Sequence, residues 1–389
     1  MLLSISLIFL LGLISGQIFS KIKVPPLFGM ILTGIVIGPF VLNWIDISVL
    51  NISSDIRKIA LLIILIRAGL SLDINDLKKV GRPALMLCFV PACFEIAGMV
   101  LLAVKFLNVS RLEAAIIGAV VAAVSPAVIV PRMIKLIDEG YGTEKGIPQM
   151  ILAGASVDDV FVIVMFSVFT GFAQGEKISL ISFINIPLSI ITGIFVGMVT
   201  GIILSMLFRK LEMRNTVQTL VLLSIAILLT VTENSLPKYI PFASLIAVMF
   251  TGIFIRQKEQ SIAKEMTQSF NKLWIPAEIF LFVLVGASVD IHYAAKAGFS
   301  VVALVLCVLI FRIVGVWFCL IKTGLSRKEK IFCMLAYTPK ATVQAAIGGI
   351  PLAMGLSCGN IVLTVAVIAI LITAPLGAFA IDASYKIFL

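Results

Sequence analysis

Thirteen long apolar runs follow one another with only short polar breaks, at roughly 2–20, 27–43, 57–72, 82–107, 111–137, 147–172, 178–208, 215–232, 238–256, 273–290, 296–321, 328–355 and 358–380. A helix needs about 20 mostly apolar residues to cross the hydrocarbon of a bilayer. Inside lipid the backbone must satisfy its own polar groups, which leaves helices as the spanning form for runs of this length. The rhythm therefore predicts an all-α polytopic membrane protein of about 13 transmembrane helices with no sizeable soluble domain. Composition matters here for what it excludes. The chain is 61% hydrophobic and 13% charged, against about 25% charged in a soluble domain. A water-soluble enzyme is ruled out. The net charge of +10 is spread over short loops rather than gathered on one patch, so no nucleic-acid partner is expected.

The distribution of Lys and Arg sets an orientation. With the N-terminus outside, inner loops and the C-terminus hold nineteen of the 30 basic residues, Lys78 and Lys79 among them, and outer loops and flanks hold seven, including Lys177 and Lys238. Cytoplasmic loops carry the excess in membrane proteins, so the C-terminus falls inside, in a cell (inner or plasma) membrane. The first run is read as a span and not as a signal peptide, because Lys21 and Lys23 follow it and no basic residue precedes it. Six cysteines (Cys88, Cys93, Cys307, Cys319, Cys333 and Cys358) sit in or beside apolar runs without metal-ligand spacing. His292, the one histidine, falls in a predicted loop. A histidine metal site or a Ser-His-Asp hydrolase has nothing to build on, and no enzyme activity is expected.

Two runs carry a polar break at their middle. The fifth contains Ala123-Val124-Ser125-Pro126-Ala127-Val128-Ile129-Val130-Pro131, and the twelfth contains Ala336-Tyr337-Thr338-Pro339-Lys340-Ala341-Thr342-Val343. Ala, Ser/Thr, Pro and the last Val of each octet recur at an offset of 213. The fifth span runs outside to inside and the twelfth runs the other way, so the halves read as inverted repeats. Proline removes a donor and crowds the preceding turn, and irregular backbone at membrane depth survives only inside protein or beside a water-filled cavity. Paired breaks in inverted halves point to a transporter binding site.

Charged residues inside spans sharpen this. Asp158 and Asp159 stand side by side midway along the sixth run, Glu95 is in the fourth, Arg312 in the eleventh and Lys340 at the second break. An ionised Asp at the bilayer centre costs about 2.5–3.5 kcal/mol on insertion scales, so such groups are kept for a purpose. Neighbours on a helix diverge by about 100°, which gives the two carboxylates different partners. Asp159 is assigned to ion and proton binding. Asp158 is assigned to Arg312, whose planar fork can also take Glu95. Three carboxylates against two cations leave one negative charge, which one monovalent cation or one proton cancels in turn. Lys340 is placed to balance the negative ends of the interrupted helices. Ser125, Ser156 and Thr338 supply neutral oxygens, which hard cations such as sodium or lithium accept. Arg67 and Arg132, near inner ends of spans, are read as snorkelling to the headgroups. Glu278, in Ile275-Pro276-Ala277-Glu278, is read as sitting near a helix start, with a gating role possible for it and for Arg67. An intramembrane aspartyl protease is disfavoured, because it needs two carboxylates from separate helices facing one water. A sodium-coupled organic-anion symporter on the same fold stays as the alternative, with Lys340 as its anion ligand.

Taken together, Ser125-Pro126-Ala127-Val128-Ile129-Val130-Pro131, Gly140-Tyr141-Gly142-Thr143-Glu144-Lys145-Gly146-Ile147-Pro148, Ser156-Val157-Asp158-Asp159, Leu65-Ile66-Arg67-Ala68-Gly69-Leu70 and Thr338-Pro339-Lys340-Ala341-Thr342-Val343-Gln344-Ala345-Ala346 resemble the NHA-type sodium/proton antiporters of the cation:proton antiporter superfamily, in their bacterial form with an Asp-Asp motif. The likeness runs from about residue 57 to 380. It implies a homodimer working by elevator-type alternating access, with sodium or lithium and protons as cargo and no cofactor. It also implies a division of the chain: 1–80 and 211–295 for dimerisation, 81–175 and 296–389 as the moving core, and 176–210 as a linker helix. By the same likeness Asp159, the second Asp of the motif, is the binding carboxylate. Arg312 stands where many bacterial relatives have lysine; the eukaryotic members have arginine there, with a glutamate matching Glu95.

Overall fold

The computed structural model describes residues 1–72, 81–175, 180–211, 213–235 and 242–389, with the side chains at 156, 180–186, 234 and 297 outside that description. Lys78, Lys79, Lys177 and Lys238, counted above toward the orientation, and the expected boundaries near 80 and 176 lie outside the described residues. Among the described residues there are eighteen helices and no strand. Among the described residues, nine helices or helix pairs are long and apolar enough to cross a membrane. They correspond to nine of the thirteen predicted runs. The other four are cut short, carry more charge or are interrupted: α2 (Pro26–Ile37), α4 (Ser53–Ser71), α12 (Ser244–Lys258) and the broken twelfth run.

The chain forms two compact units. One comprises 1–57, 76–174 and 279–389, and the other 58–75 and 175–278.

In the first unit, α1 (Leu2–Lys21) lies along α2. The α5 (Arg82–Leu87) and α6 (Val90–Leu107) pair makes the fourth run, and α6 packs on α14 (Ile291–Cys319). His292 is in the first turn of α14, not in a loop, because Asp290 caps that helix by accepting from the His292 and Tyr293 amides. The fifth run divides into α7 (Arg111–Val121) and α8 (Pro126–Glu139), followed by the long α9 (Ile147–Ala173). The twelfth run divides into α15 (Arg327–Ala336), α16 (Thr342–Ile347) and α17 (Ile350–Ala353), and α18 (Gly359–Phe388) closes the chain. Every residue from 114 to 126 and from 336 to 349 is buried. The two interrupted runs are thus cased in protein, as irregular backbone at membrane depth requires.

Local chemistry starts both interrupted runs in the same way. Ser110 and Glu113 form a capping box on α7, and Ser326 and Glu329 form one on α15. In such a box the hydroxyl and the carboxylate each satisfy an amide of the first turn. Each cap glutamate also reaches the loop that follows the opposite interrupted run. Ser357 donates to Glu113 at 2.9 Å, and the Lys145 ammonium meets Glu329 at 2.9 Å. Arg132, read as snorkelling, forms a fork on Asp382 of α18 at 3.1 Å and donates to the Val128 carbonyl.

In the second unit, α10 (Leu180–Leu211) packs closely on α12, and α11 (Asn215–Ser235) lies against α12 as well. The close fit comes from Gly193, Gly197 and Gly201, four residues apart on one face of α10. An added Cβ would lie 2.5–2.7 Å from the carbonyls of Ala243, Ala247 and Thr251. Small residues at this spacing let membrane helices approach backbone to backbone. The tenth run starts earlier than predicted. It is α13 (Gln260–Ala287), which continues through Pro276, so Glu278 lies deep inside the helix and not near its start. Arg67 does not merely snorkel. Its Nε donates to Asn271 Oδ1 at 2.8 Å and its guanidinium lies 5.4 Å from the Trp274 ring centre, on the face of α13 that carries Glu278.

Overpacking of a tight contact costs about 1–3 kcal/mol. Gly197→Val is therefore expected to lower the thermal unfolding midpoint of the detergent-purified protein clearly. Gly298→Ala, where nothing lies within 4 Å of an added Cβ, is expected to leave it unchanged or slightly raised.

Candidate ion-binding site

The two breaks meet. α7 ends at Val121, residues 122–125 are irregular and Pro126 opens α8; α15 ends at Ala336, residues 337–341 are irregular and Thr342 opens α16. The prolines occupy matched sequence positions but not matched structural ones. Pro126 takes the first turn of its helix, where a missing N–H costs nothing, while Pro339 lies within the break. The crossing is held by one backbone bond, from the Ser125 amide to the Pro339 carbonyl at 2.8 Å.

Interrupted helices leave C-terminal carbonyls without partners. Gln344 Nε2 donates to the Val121 and Ala123 carbonyls at 3.1 and 2.8 Å, and Arg312 donates through Nη1 to the Ala122 carbonyl and through Nε to the Tyr337 carbonyl at 2.6 Å. These ends were assigned to Lys340. Instead its ammonium goes to Glu95 Oε2 at 2.6 Å, and its amide donates to Thr373 Oγ1 at 2.9 Å. The task passes to Arg312 and Gln344 because both are built as forks that can reach two acceptors, which a single ammonium cannot do at that distance.

Arg312 also joins the carboxylates. Nη1 lies 2.9 Å from Glu95 Oε2, and Nη2 lies 2.9 Å from Asp158 Oδ2, which also accepts from the Val124 amide at 2.9 Å. The guanidinium thus ties α6, α9, the first break and the second break to α14. Glu95, Asp158, Arg312 and Lys340 have at most 1% of their surface exposed, whereas Asp159 keeps 4% and Thr338 7%.

Asp159 stands apart from this network. It is the next residue on α9, turned about 100° from Asp158, and its Oδ1 is buried without a hydrogen-bond partner. The same state is found at other places in the described residues, Ser53, Gln149 and Gln218 among them, but Asp158 Oδ1, Ser125 Oγ, Thr342 Oγ1 and Gln344 Oε1 share it too. These four belong to the two breaks, to the turn after the second, or to α9 beside them. Thr338 is differently used, since its hydroxyl donates to the Leu335 carbonyl at 2.8 Å. The Ser156 side chain lies outside the described ones. Glu278 and Arg67 belong to the other unit. Buried acceptors without donors are costly, so these oxygens keep bonding capacity that the chain itself does not use.

Gln344, Thr342 and Thr373 carry structural or ligand chemistry that spacing alone did not assign. The signal for Gln344 and Thr342 was present in the Thr338–Gln344 run: amide and hydroxyl groups in the buried turn that follows a break have to bond to something.

With this geometry in view, similarity to known proteins is informative. Residues 5–383 match the family model described as sodium/hydrogen exchanger, transmembrane. The chain is 33% identical over 402 residues to mouse sodium/hydrogen exchanger 9B2, covering 98% of this chain and 72% of that protein. It is 33% identical over 395 residues to human sodium/hydrogen exchanger 9B1, covering 96% and 75%. Its fold is similar to that of the sodium proton antiporter MjNhaP1 from Methanocaldococcus jannaschii, with a TM-score of 0.86 at 22% identity over 99% of this chain and 97% of that one.

Removing one partner of a buried ion pair costs about 3–5 kcal/mol, because the other charge is left uncompensated. Arg312→Met is expected to destabilise by that order or to prevent folding. Arg312→Lys should lose less, since it keeps the charge but cannot span four acceptors. In Arg312→Lys, adding Asp158→Asn should cost less than it does in the unaltered protein, a coupling that a double-mutant cycle of thermal midpoints reads directly.

Proposed function

The chain belongs to the transmembrane sodium/hydrogen exchanger family, and on that premise we propose that it is a secondary active antiporter exchanging sodium or lithium for protons. The observation that carries the reading is Asp159: a buried carboxylate with an oxygen that no donor satisfies, next to a second carboxylate already committed to Arg312. The five charged groups leave one negative charge over, and Asp159 is the one without a cationic partner. One sodium or lithium ion, or one proton, brings the cluster to neutrality. Two cargoes that neutralise the same carboxylate cannot bind it together, and exclusion of this kind is what couples opposed fluxes.

In this reading Asp159 binds the ion or the proton. Asp158 contributes its free Oδ1, and Ser125, Thr338 and Ser156 or backbone carbonyls near the breaks complete the oxygen shell. Arg312, Glu95 and Lys340 hold the charge balance and are not themselves exchanged for the cargo. Arginine keeps its proton, so Arg312 is a fixed counter-charge. No cofactor enters the cycle.

The elevator division is part of the proposal. Residues 81–175 and 296–389 would move as a core, with 1–80 and 211–295 as a dimerisation scaffold, 176–210 as linker, the N-terminus outside and the C-terminus in the cytoplasm. The support is that every group in the cluster comes from the two core segments: Glu95, Ser125, Asp158 and Asp159 from the first, Arg312, Thr338 and Lys340 from the second. A body that carries its whole site can move without dismantling it.

The test uses proteoliposomes with an acid lumen and a pH-sensitive dye. Adding sodium or lithium outside should restore fluorescence. Asp159→Asn should abolish that response while the protein still inserts and folds. Retention of exchange in Asp159→Asn would reject the assignment. Sodium-driven uptake of a labelled organic acid, without proton movement, would favour the symporter instead.

A further inference from the structure

Arg57 is a second buried arginine, and its surroundings contrast with those of Arg312. It lies one turn into α4, with 5% of its surface exposed, and Ser53 on the same face has 4%. The Arg57 Nε donates to the Ser53 carbonyl at 3.3 Å. Its Nη1 and the Ser53 hydroxyl are both buried without a hydrogen-bond partner. Among the described residues no carboxylate pairs with Arg57; Asp55, in the same turn, is exposed. The guanidinium closes on bare backbone in the turn between α16 and α17, where a Cβ added to Gly349 would fall 2.3 Å from Nη1. That contact limits how far the side chain can swing toward another partner.

A guanidinium does not shed its proton, and a buried charge needs a counter-charge. Arg312 finds two carboxylates and two carbonyls, Arg132 finds Asp382 and Arg67 finds Asn271. We propose that Ser53 and Arg57, closed off by Gly349, form a binding site for a monovalent anion of chloride size. The charge of one guanidinium matches one monovalent anion. The hydroxyl and the free guanidinium edge are donors of the kind anions take, four residues apart on one helix face. Both lie in the first turns of α4, where the helix dipole adds positive potential. The enclosure favours a small ion over a branched phosphate headgroup carrying acyl chains, which would have to displace the packing around two residues that are more than nine-tenths buried. Bound there, the anion would tie the start of α4 to the turn following the interrupted helix that carries Lys340. The site does not depend on which cation is exchanged.

The test is made on purified full-length protein in detergent, at fixed sodium concentration and ionic strength. Thermal unfolding is followed in gluconate with increasing chloride or bromide in replacement. The expected result is a saturable rise in the midpoint with chloride and with bromide, lost in Arg57→Met and shifted to several-fold higher anion concentration in Ser53→Ala. Removing a buried charge that lacks a counter-charge removes its desolvation cost, so Arg57→Met in gluconate should unfold no earlier than the unaltered protein. That shows the variant folds and that only the anion response is gone. A bromide-soaked crystal should show an anomalous peak beside Arg57. Equal midpoints in chloride and gluconate, a chloride response that persists in Arg57→Met, or a co-purified lipid phosphate at Arg57 would each overturn the proposal.

Discussion

The structure of the site rests on one guanidinium. Arg312 reaches Glu95, Asp158 and the carbonyls of Ala122 and Tyr337 from the middle of α14. Two helices broken at membrane depth expose carbonyl ends, and two carboxylates bring charge to the same place. Separately each is a burden in a low-dielectric interior. Brought together around a planar cation with five donors, they satisfy one another. Asp158 is thereby held in position, and its neighbour Asp159 is set in turn by the helix that both share. Geometry made by a fixed charge leaves the adjacent carboxylate free for chemistry.

The inverted repeat is visible in the ends of the two interrupted runs as well as in their middles. Each begins with a Ser-x-x-Glu capping box, and the glutamate of each is bonded by the loop that leaves the other: Glu113 by Ser357, Glu329 by Lys145. Together with the Ser125–Pro339 backbone bond at the crossing, the two interrupted runs are joined at three levels. The partners differ in chemistry, hydroxyl at one end and ammonium at the other, so the symmetry belongs to the architecture and not to the residues. Exposed ion pairs contribute little on their own. Here their value lies in setting the register of two elements that have no continuous helix to set it.

The two buried arginines, Arg57 and Arg312, show how the same side chain takes different meaning from its neighbours. Arg312 is fully met by acceptors of the chain, and Arg57 is not. Glycine decides part of this. At Gly349 the missing Cβ admits a guanidinium, and along α10 the missing Cβ atoms admit the α12 backbone.

Much of the fold could be read from the sequence. The apolar rhythm dictates a polytopic helical protein, because a backbone in lipid has few ways to satisfy itself. Paired prolines mark the breaks, because each removes a donor in a run otherwise suited to helix. Charges inside apolar runs mark the candidate site, because each carries a desolvation cost that something in the fold has to offset. The pairing of Asp158 and Glu95 with Arg312 followed from charge and side-chain shape. The sequence could not show that Gln344 and Arg312, and not Lys340, take up the open carbonyls, nor that Glu278 lies inside a helix continuing through Pro276. It could not show that Arg132 meets Asp382, or that among the described residues no carboxylate meets Arg57. Composition and periodicity report whether a residue is costly to bury. Only the tertiary structure decides what relieves that cost, since the partners stand as far as 250 residues away along the chain and hydrogen bonds depend on tenths of an ångström that no linear pattern records.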